Sequence, residues 1–276
     1  MSIDINTTIK LNNGVEMPIF GLGVWKSGQG GEVESSIENA LLAGYRSIDT
    51  ASIYLNEKGV GEALQNADVP RKEIFVTSKV WNSDQGYETT LQAFEKSLEK
   101  LKLDYLDLYL VHWPVGGKYK DTWRAMERIY ESGGARAVGV SNFLVHHLED
   151  LLHSTELEPA VNQVEFHPHL IQQELLDFCE SKSIQIEAWS PLMQGRINEV
   201  DKLVHIASKH GKTAAQVVLR WNLQRQIITI PKSSNPGRIK ENADIFNFQL
   251  DQQEMDQINS LDKHLRYGPD PDNFDF

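Results

Sequence analysis

The sequence predicts an α/β fold, a (β/α)8 TIM barrel with an N-terminal β-hairpin and a C-terminal loop. Two observations predict it. Eight strand-like runs alternate with helix-period stretches, which is typical of a parallel sheet, and the number eight favours closure into a barrel. No linker, low-complexity segment or block of like charge divides the chain, so residues 1–276 are expected to form one domain.

The hairpin is the first predicted element. The segment TIKLNNGVEMPIF alternates in character on both sides of Asn13-Gly14, and this dipeptide is the strongest short signal for a hairpin. The strand-like runs follow the hairpin. They are GLGVW (21–25), YRSID (45–49), IFVTSKV (74–80), YLDLYLVHW (105–113), ARAVGVS (135–141), AVNQVEF (160–166), IQIEAWS (184–190) and IITIP (227–231).

Helix-period stretches lie between these strands. They include residues 87–101, 120–133 and 171–182. In the first of them, apolar residues recur at helical spacing and share one face of the predicted helix. These residues are Leu91, Phe94, Leu98 and Leu101. The final segment, RYGPDPDNFDF, is predicted to be a loop.

Composition excludes several classes of protein. Apolar residues make up 40% of the chain and charged residues 24%, which is near the average for folded domains. A net charge of −12 argues against a nucleic-acid surface, because phosphate contacts require clustered Lys and Arg. No signal peptide and no apolar run of membrane-spanning length is visible, so a cytoplasmic protein without membrane partners is expected. The single cysteine, Cys179, is expected to be buried as a small hydrophobe.

Ionisable side chains end three consecutive predicted strands. Asp49 ends the second strand and Tyr54 lies in the following loop, while Lys79 and His112 come near the ends of the third and fourth strands. A barrel of this kind carries its chemistry at these carboxyl ends. Buried charges are costly unless paired, so Asp49 and Lys79 are expected to form an ion pair.

This group of residues can supply a proton but no nucleophile. Tyrosine has an ordinary pKa of about 10, and an adjacent ammonium lowers it while a carboxylate orients the lysine. A neutral histidine facing the same point could orient a carbonyl. The sequence has no clear Ser-His-Asp arrangement, no G-x-S-x-G elbow and no H-E-x-x-H zinc pair. A proton donor without a nucleophile suggests that a cofactor supplies a hydride.

Seven motifs, in order along residues 14–243, resemble those of the aldo-keto reductase family. They are GYRSIDTASIYLNEKGVGEAL, VTSKVWN, LDLYLVHWP, AVGVSNF, VNQVEFHP, EAWSPL and IPKSSNPGRIKEN. The resemblance is to short bacterial members similar to 2,5-diketogluconate reductases and glyoxal or methylglyoxal reductases. It implies an NADPH-dependent oxidoreductase that reduces aldehydes, ketones or small dicarbonyls, in which Tyr54 donates the proton, Lys79 and Asp49 tune it, and His112 orients the carbonyl.

The resemblance also implies the residues that bind the cofactor and the substrate. The implied cofactor contacts are Ser141, Asn142 and Gln163 at the nicotinamide carboxamide, Trp189 stacked on the ring, Lys232, Ser233 and Arg238 at the 2′-phosphate, and Glu241 and Asn242 near the adenine. Ser190 and Leu192 are also implied to bind the cofactor. A lysine and a guanidinium that flank a hydroxyl suit a phosphate monoester on physical grounds alone, which favours NADPH over NADH. The implied substrate pocket contains Trp25, His112 and Trp113, and Trp81 is either core or pocket wall.

A short loop after the fourth strand and a short tail suggest an open pocket for small aldehydes or dicarbonyls. The family resemblance suggests a monomer. Two glycine-rich segments, 21–23 and 59–64, lack the third glycine of a Rossmann fingerprint. No metal site is expected, because no cysteine or carboxylate clearly joins the histidines at ligand spacing. The histidines in question are His146, His147, His153, His167 and His169.

Two other functions stay open at this point. One is a barrel that binds NADPH as a sensor or scaffold, and an intact Lys79 and Tyr54 pair argues against it. The other is an isomerase of a phosphorylated substrate, held at Lys232 and Ser233. The absence of a plausible glutamate base at a strand end argues against the isomerase, although Glu187 in the seventh strand has no explanation from the sequence.

Overall fold

The computed structural model describes residues 3–276, and its central feature is a sheet of eight parallel strands. The predicted hairpin is confirmed: β1 (Thr8–Lys10) pairs antiparallel with β2 (Glu16–Pro18). The parallel strands follow in chain order, each bonded to the next. They are β3 (Leu22–Gly23), β4 (Ser47–Asp49), β5 (Phe75–Val80), β6 (Leu106–Val111), β7 (Ala135–Ser141), β8 (Val161–Glu165), β9 (Gln185–Trp189) and β10 (Ile228–Thr229).

Backbone hydrogen bonds join the first and last strands and close the sheet into the predicted barrel. Gly21 N donates to Thr229 O at 3.0 Å, and Thr229 N donates to Ile19 O at 3.1 Å. A parallel bridge also links Gly23 with Lys232. Closure brings the carboxyl ends of all eight strands to one rim, and this rim carries the candidate site.

Ten α-helices lie between or after the strands in residues 3–276. They are α1 (Glu32–Leu42), α2 (Glu57–Gln65), α3 (Tyr87–Leu101), α4 (Tyr119–Glu131), α5 (Val145–Leu152), α6 (Gln173–Ser181), α7 (Asp201–His210), α8 (Ala214–Gln224), α9 (Pro236–Ala243) and α10 (Gln252–Asn259). Helix α3 has the predicted bounds, and α4 and α6 agree with prediction to within two residues at each end. The apolar face predicted for α3 lies against the core.

Several strands are shorter than the apolar runs predicted, for local reasons. After β3, Lys26 adopts a left-handed conformation (φ 58°), which cannot continue an extended strand. After β6, Val115 N donates to Trp113 O at 2.9 Å, so the chain turns directly after His112. These early ends release Trp25, His112 and Trp113 from the sheet and leave them at the rim.

The core fills the barrel and the layer between sheet and helices. One close approach requires glycine: a Cβ on Gly139 in β7 would lie 2.5 Å from Val161 O in β8. Cys179 is buried as predicted, and burial raises the pKa of its thiol to about 12. Among the helices of residues 3–276, none is long and apolar enough to cross a membrane.

Candidate active site

A cavity of about 460 Å³ opens at the carboxyl rim of the barrel. Its walls come from the loops after most of the strands and from the C-terminal segment. Eleven of the residues predicted from the sequence line it, which are Trp25, Asp49, Tyr54, His112, Trp113, Ser141, Asn142, Gln163, Trp189, Ser190 and Lys232. Segments far apart in the chain therefore meet in one pocket, because parallel strands end on the same side of the sheet.

Lys79 and Asp49 form a buried ion pair, as the sequence predicted. Lys79 Nζ donates to Asp49 Oδ1 at 2.6 Å and to Thr50 O at 2.9 Å. The side chain of Lys79 is fully buried. Burial alone lowers the pKa of this ammonium, but the charge of Asp49 and its hydrogen bond to Lys79 act in the opposite direction, and the pKa is raised. Lys79 therefore stays charged at neutral pH.

Tyr54 projects toward this pair from a short 3₁₀ turn, Ser52–Tyr54, which follows β4. The Nζ atom of Lys79 lies 5.1 Å from the centroid of the Tyr54 ring. The pKa of the Tyr54 hydroxyl is raised, chiefly because burial disfavours the phenolate, and Lys79 only opposes this shift. The lowered pKa predicted from the adjacent ammonium is wrong, because the effect of burial is larger. A raised pKa keeps Tyr54 protonated, as a proton donor must be.

His112 is the neutral histidine that the sequence argument expected. Its ring lies edge-on to the Tyr54 ring, with centroids 5.7 Å apart, and 5.1 Å from the ring of Trp81. Burial and the charge of Lys79 lower the pKa of His112 well below its ordinary value. Nδ1 is buried and has no hydrogen-bond partner within residues 3–276, which favours the tautomer that carries its proton on Nε2. Such a ring can donate to a carbonyl oxygen.

A hydrogen-bonded chain fixes the side chains at the ends of β7, β8 and β9. Trp189 Nε1 donates to Asn142 Oδ1 at 2.9 Å, and Asn142 Nδ2 donates to His112 O at 3.0 Å. Asn142 has a left-handed backbone (φ 64°), which turns its side chain away from the strand direction. Ser141 Oγ donates to Gln163 O at 2.8 Å. The indole of Trp189 is thus held as one wall of the pocket before any ligand enters.

Cationic residues lie where the chain leaves β10 and enters α9. Lys232 lines the pocket, and Arg238 is exposed on the first turn of the helix. Asn235 caps this helix, because its side chain accepts from Arg238 N at 3.0 Å. A helix N-terminus beside two cations suits a phosphate group. Five of the residues predicted to bind the cofactor lie outside the pocket lining, and their role in binding stays a prediction. They are Leu192, Ser233, Arg238, Glu241 and Asn242.

Trp81 belongs to the pocket wall, and the C-terminal segment, predicted only as a loop, adds to this wall. Trp81 lines the pocket, and the ring of Phe276, the last residue, stacks on it with centroids 5.6 Å apart and 7° between planes. Asn82 Nδ2 donates to Phe276 O at 3.0 Å. Glu165 holds the start of this C-terminal segment, because it accepts from Tyr267 N at 2.7 Å. The short C-terminal segment therefore contributes to the pocket wall, and an open pocket stays a prediction. The aromatic ending NFDF was the available signal.

The structure also brings a carboxylate to two of the histidines, a contact that is not evident from the sequence. Asp272 Oδ1 lies 3.0 Å from His146 Nε2 and 3.4 Å from His147 Nε2. Leu144 N donates to His147 Nδ1 at 3.2 Å, so this ring carries its proton on Nε2 when neutral. That proton occupies the nitrogen that would have to ligate a metal. The cluster is better described as a contact that fastens the C-terminal segment to α5.

Glu187, unexplained from the sequence, is a fully buried carboxyl on β9. Its Oε2 accepts from Gln163 Nε2 at 2.7 Å, and its Oε1 has no hydrogen-bond partner in residues 3–276. Burial and, to a smaller extent, repulsion by Asp49 raise the pKa of Glu187 from 4.5 to about 8, so the neutral acid dominates at neutral pH. Glu187 does not line the pocket, which argues against a role as an isomerase base.

Glu187→Gln is expected to increase the free energy of unfolding more at pH 8 than at about pH 5. The stability contributed by the protonated acid is fully present below pH 4.5 and is lost as the pH rises through about 8. Glutamine does not titrate and keeps the neutral form at both values. Urea unfolding at the two pH values measures this difference. Glu174→Gln, at an exposed position on α6, is the control, and an equal effect of Glu187→Gln at both pH values would contradict the assignment.

Comparison with known proteins identifies the family of the chain. The sequence model of the aldo/keto reductase family matches residues 20–263. Glyoxal reductase of Bacillus subtilis (strain 168) is 60% identical over 276 residues, covering 100% of both chains. Methylglyoxal reductase DkgA of Escherichia coli (strain K12) is 47% identical and covers 97% of this chain and 98% of its own.

Solved structures give the same result. MGS-M4, an aldo-keto reductase from a deep-sea metagenome library of the Medee basin, superposes with a TM-score of 0.95 at 46% identity, covering 98% of this chain and 100% of its own. A mutant of Gox0644 in complex with NADPH superposes with a TM-score of 0.94 at 44% identity, covering 98% of this chain and 99% of its own. The chain belongs to the aldo/keto reductase family.

Proposed function

We propose that the protein is an NADPH-dependent reductase that converts small aldehydes, ketones and dicarbonyls to alcohols, with Tyr54 as the proton donor. One observation carries the proposal. A protonated tyrosine, a charged lysine paired with aspartate and a neutral histidine meet at one pocket. Trp189 and Gln163 line the same pocket.

The residues present fit a nicotinamide cofactor. Trp189 is held by Asn142 with its ring against the cavity, and Gln163 exposes an amide there. Lys232 and the capped N-terminus of α9 suit a phosphate beyond the nicotinamide site. NADPH, when bound, supplies the hydride that a carbonyl reduction needs.

Residues of the chain carry out the proton transfer. The Tyr54 hydroxyl gives its proton to the carbonyl oxygen as that oxygen gains negative charge. Lys79, held charged by Asp49, stabilises the phenolate that Tyr54 becomes. His112 donates from Nε2 to the same oxygen and orients the carbonyl. The buried ion pair makes this arrangement rigid before the substrate arrives.

Two observations support small dicarbonyls as the substrate class. The relatives at 60% and 47% identity are named for glyoxal and methylglyoxal reduction. The rings of Trp81, Trp113 and Phe276 are packed against one another at the mouth of the pocket, with centroids 5.2 to 5.6 Å apart for the pairs that include Phe276. We infer that such a wall favours a compact carbonyl over a bulky one.

The test is oxidation of NADPH, followed by absorbance, with methylglyoxal, a simple aromatic aldehyde and a diketo sugar acid. Turnover with methylglyoxal as the preferred substrate is expected. Tight NADPH binding without turnover of any of the three would favour the sensor or scaffold instead. A sharp preference for one bulky substrate would contradict the assignment to small dicarbonyls.

Arg238→Ala is expected to weaken NADPH binding by about ten- to a hundredfold, because one charge-assisted contact to the 2′-phosphate is worth roughly 1.5–3 kcal/mol. Affinity for NADH, which lacks this phosphate, should stay the same. Calorimetric titration with both nucleotides measures the two effects. Lys240→Ala is the matched control, because two residues along a helix point to nearly opposite faces. Equal losses for NADPH and NADH would remove Arg238 from the phosphate site.

The monomeric state and the cytoplasmic location stay predictions from the sequence. Size-exclusion chromatography with light scattering tests the first, and cell fractionation tests the second. The substrate proposal depends on neither result.

A further inference from the structure

We propose that Glu187 is a positioning residue that fixes the amide of Gln163 with its oxygen toward the pocket, so that the site selects a dinucleotide carrying a carboxamide N–H. This inference rests on the proposed function, because it concerns the recognition of the cofactor. It gives a role to a buried carboxyl that the proton-transfer mechanism does not use.

Gln163 Nε2 makes two hydrogen bonds to carboxyl groups. It donates to Asp49 Oδ2 at 2.8 Å and to Glu187 Oε2 at 2.7 Å. Both acceptors are buried, and Asp49 is paired on its other oxygen with Lys79. Exchanging the amide oxygen and nitrogen would set the oxygen against the Asp49 carboxylate, so the nitrogen must face this side.

Two hydrogen-bond acceptors restrict the orientation of the Gln163 amide more than a single acceptor would. A single hydrogen bond to Asp49 decides which end of the amide faces the barrel interior, but the amide plane can still turn about that bond. The second bond, to Glu187, uses the remaining N–H and fixes the plane. Gln163 and Glu187 are register partners on the adjacent strands β8 and β9, so the backbone itself holds them at this spacing.

Gln163 therefore offers the pocket an acceptor and no donor. Both of its N–H groups are occupied, and among residues 3–276 no group donates to its Oε1. Its backbone is also held, because Ser141 Oγ and Asn142 N both donate to Gln163 O. The ligand group that matches a free amide oxygen at this place is an N–H, which a nicotinamide carboxamide has and a ketone lacks.

Packing alone does not account for an acidic residue at position 187. A buried carboxyl with one unpartnered oxygen is costly, and an apolar residue of similar size would fill the same space without that cost. Glu187 is not among the residues that line the cavity, which argues against direct contact with substrate. Its remaining distinctive contact is the one to Gln163.

The test compares two ligands that differ in this one group, NADP⁺ and its 3-acetylpyridine analogue, in which a methyl ketone replaces the carboxamide. Dissociation constants are measured by calorimetric titration for the wild type, Glu187→Leu and Glu187→Gln. Wild type is expected to bind NADP⁺ about tenfold more tightly than the analogue, and Glu187→Leu is expected to reduce this ratio to about twofold. Glu187→Gln should keep the wild-type ratio, because its amide oxygen can still accept from Gln163.

A purely structural role for Glu187 predicts a different outcome. The affinities for NADP⁺ and for the analogue would then fall by the same factor in Glu187→Leu, and this unchanged ratio of dissociation constants would overturn the inference. Equal binding of the two ligands by the wild type would overturn it as well. Failure of the wild type to bind either nucleotide would overturn the proposed function together with this inference. Thermal unfolding checks that each variant is folded, and Glu187→Ala replaces Glu187→Leu if the larger side chain prevents folding.

Discussion

Tyr54→Phe is expected to lower turnover about a thousandfold, within the range of 10² to 10⁴ typical for loss of a general acid, and to leave NADPH affinity unchanged. The variant keeps the ring that packs edge-on against His112 and removes only the hydroxyl. The pKa of this hydroxyl is raised by burial, so wild type carries the proton throughout the neutral range. The loss should therefore appear in kcat, measured by NADPH oxidation, and not in nucleotide binding, measured by titration.

Tyr45→Phe is the matched control, because it removes another buried hydroxyl, at a residue that does not line the pocket. Tyr45 is fully buried and its hydroxyl donates to Ile239 O at 2.9 Å. This variant should lose about 1 kcal/mol of unfolding free energy and keep its turnover. The two substitutions thus separate catalysis from stability. If Tyr54→Phe keeps more than about a tenth of the wild-type rate, another group donates the proton.

The sequence predicted the residues at the strand ends well, for a topological reason. Once the alternation of strands and helices indicated a parallel barrel, the carboxyl ends of the strands had to meet at one rim. Asp49, Lys79 and His112 could then be placed together from the sequence alone. The ion pair followed from the cost of leaving two buried charges apart. The assignment of all residues to one domain stays a prediction.

The parts of the pocket that could not be predicted depend on contacts that leave no periodic pattern in the sequence. Phe276 reaches Trp81 through a segment with no regular secondary structure, and Asp272 reaches His146 by the same route. Nothing in local spacing determines where such a segment lies. The predicted direction of the Tyr54 pKa shift was wrong for a related reason, because the burial of Tyr54 depends on how the loops pack. Glu187 could be noticed as an unusual acid, but its partner Gln163 became evident only from the strand register.

Lys79→Met is expected to be the most destabilising single substitution at the site. It leaves the Asp49 carboxylate buried without its cation, and breaking a buried pair in this way costs roughly 3–5 kcal/mol. Turnover should also fall, because the phenolate of Tyr54 loses the charge that stabilises it. A fall in both properties does not by itself distinguish a catalytic lysine from a structural one. Urea unfolding and NADPH oxidation are the two measurements.

The double variant Asp49→Asn with Lys79→Met makes that distinction. Replacing both charged partners removes the unpaired charge, and the amide oxygen of asparagine can still accept from Gln163 Nε2. Most of the lost unfolding free energy should return, because neutral partners of similar shape replace a buried pair at little cost. Turnover should stay low, since no ammonium remains beside Tyr54. Recovery of turnover together with stability would mean that the pair only supports the fold, and the role of Lys79 in proton transfer would have to be abandoned.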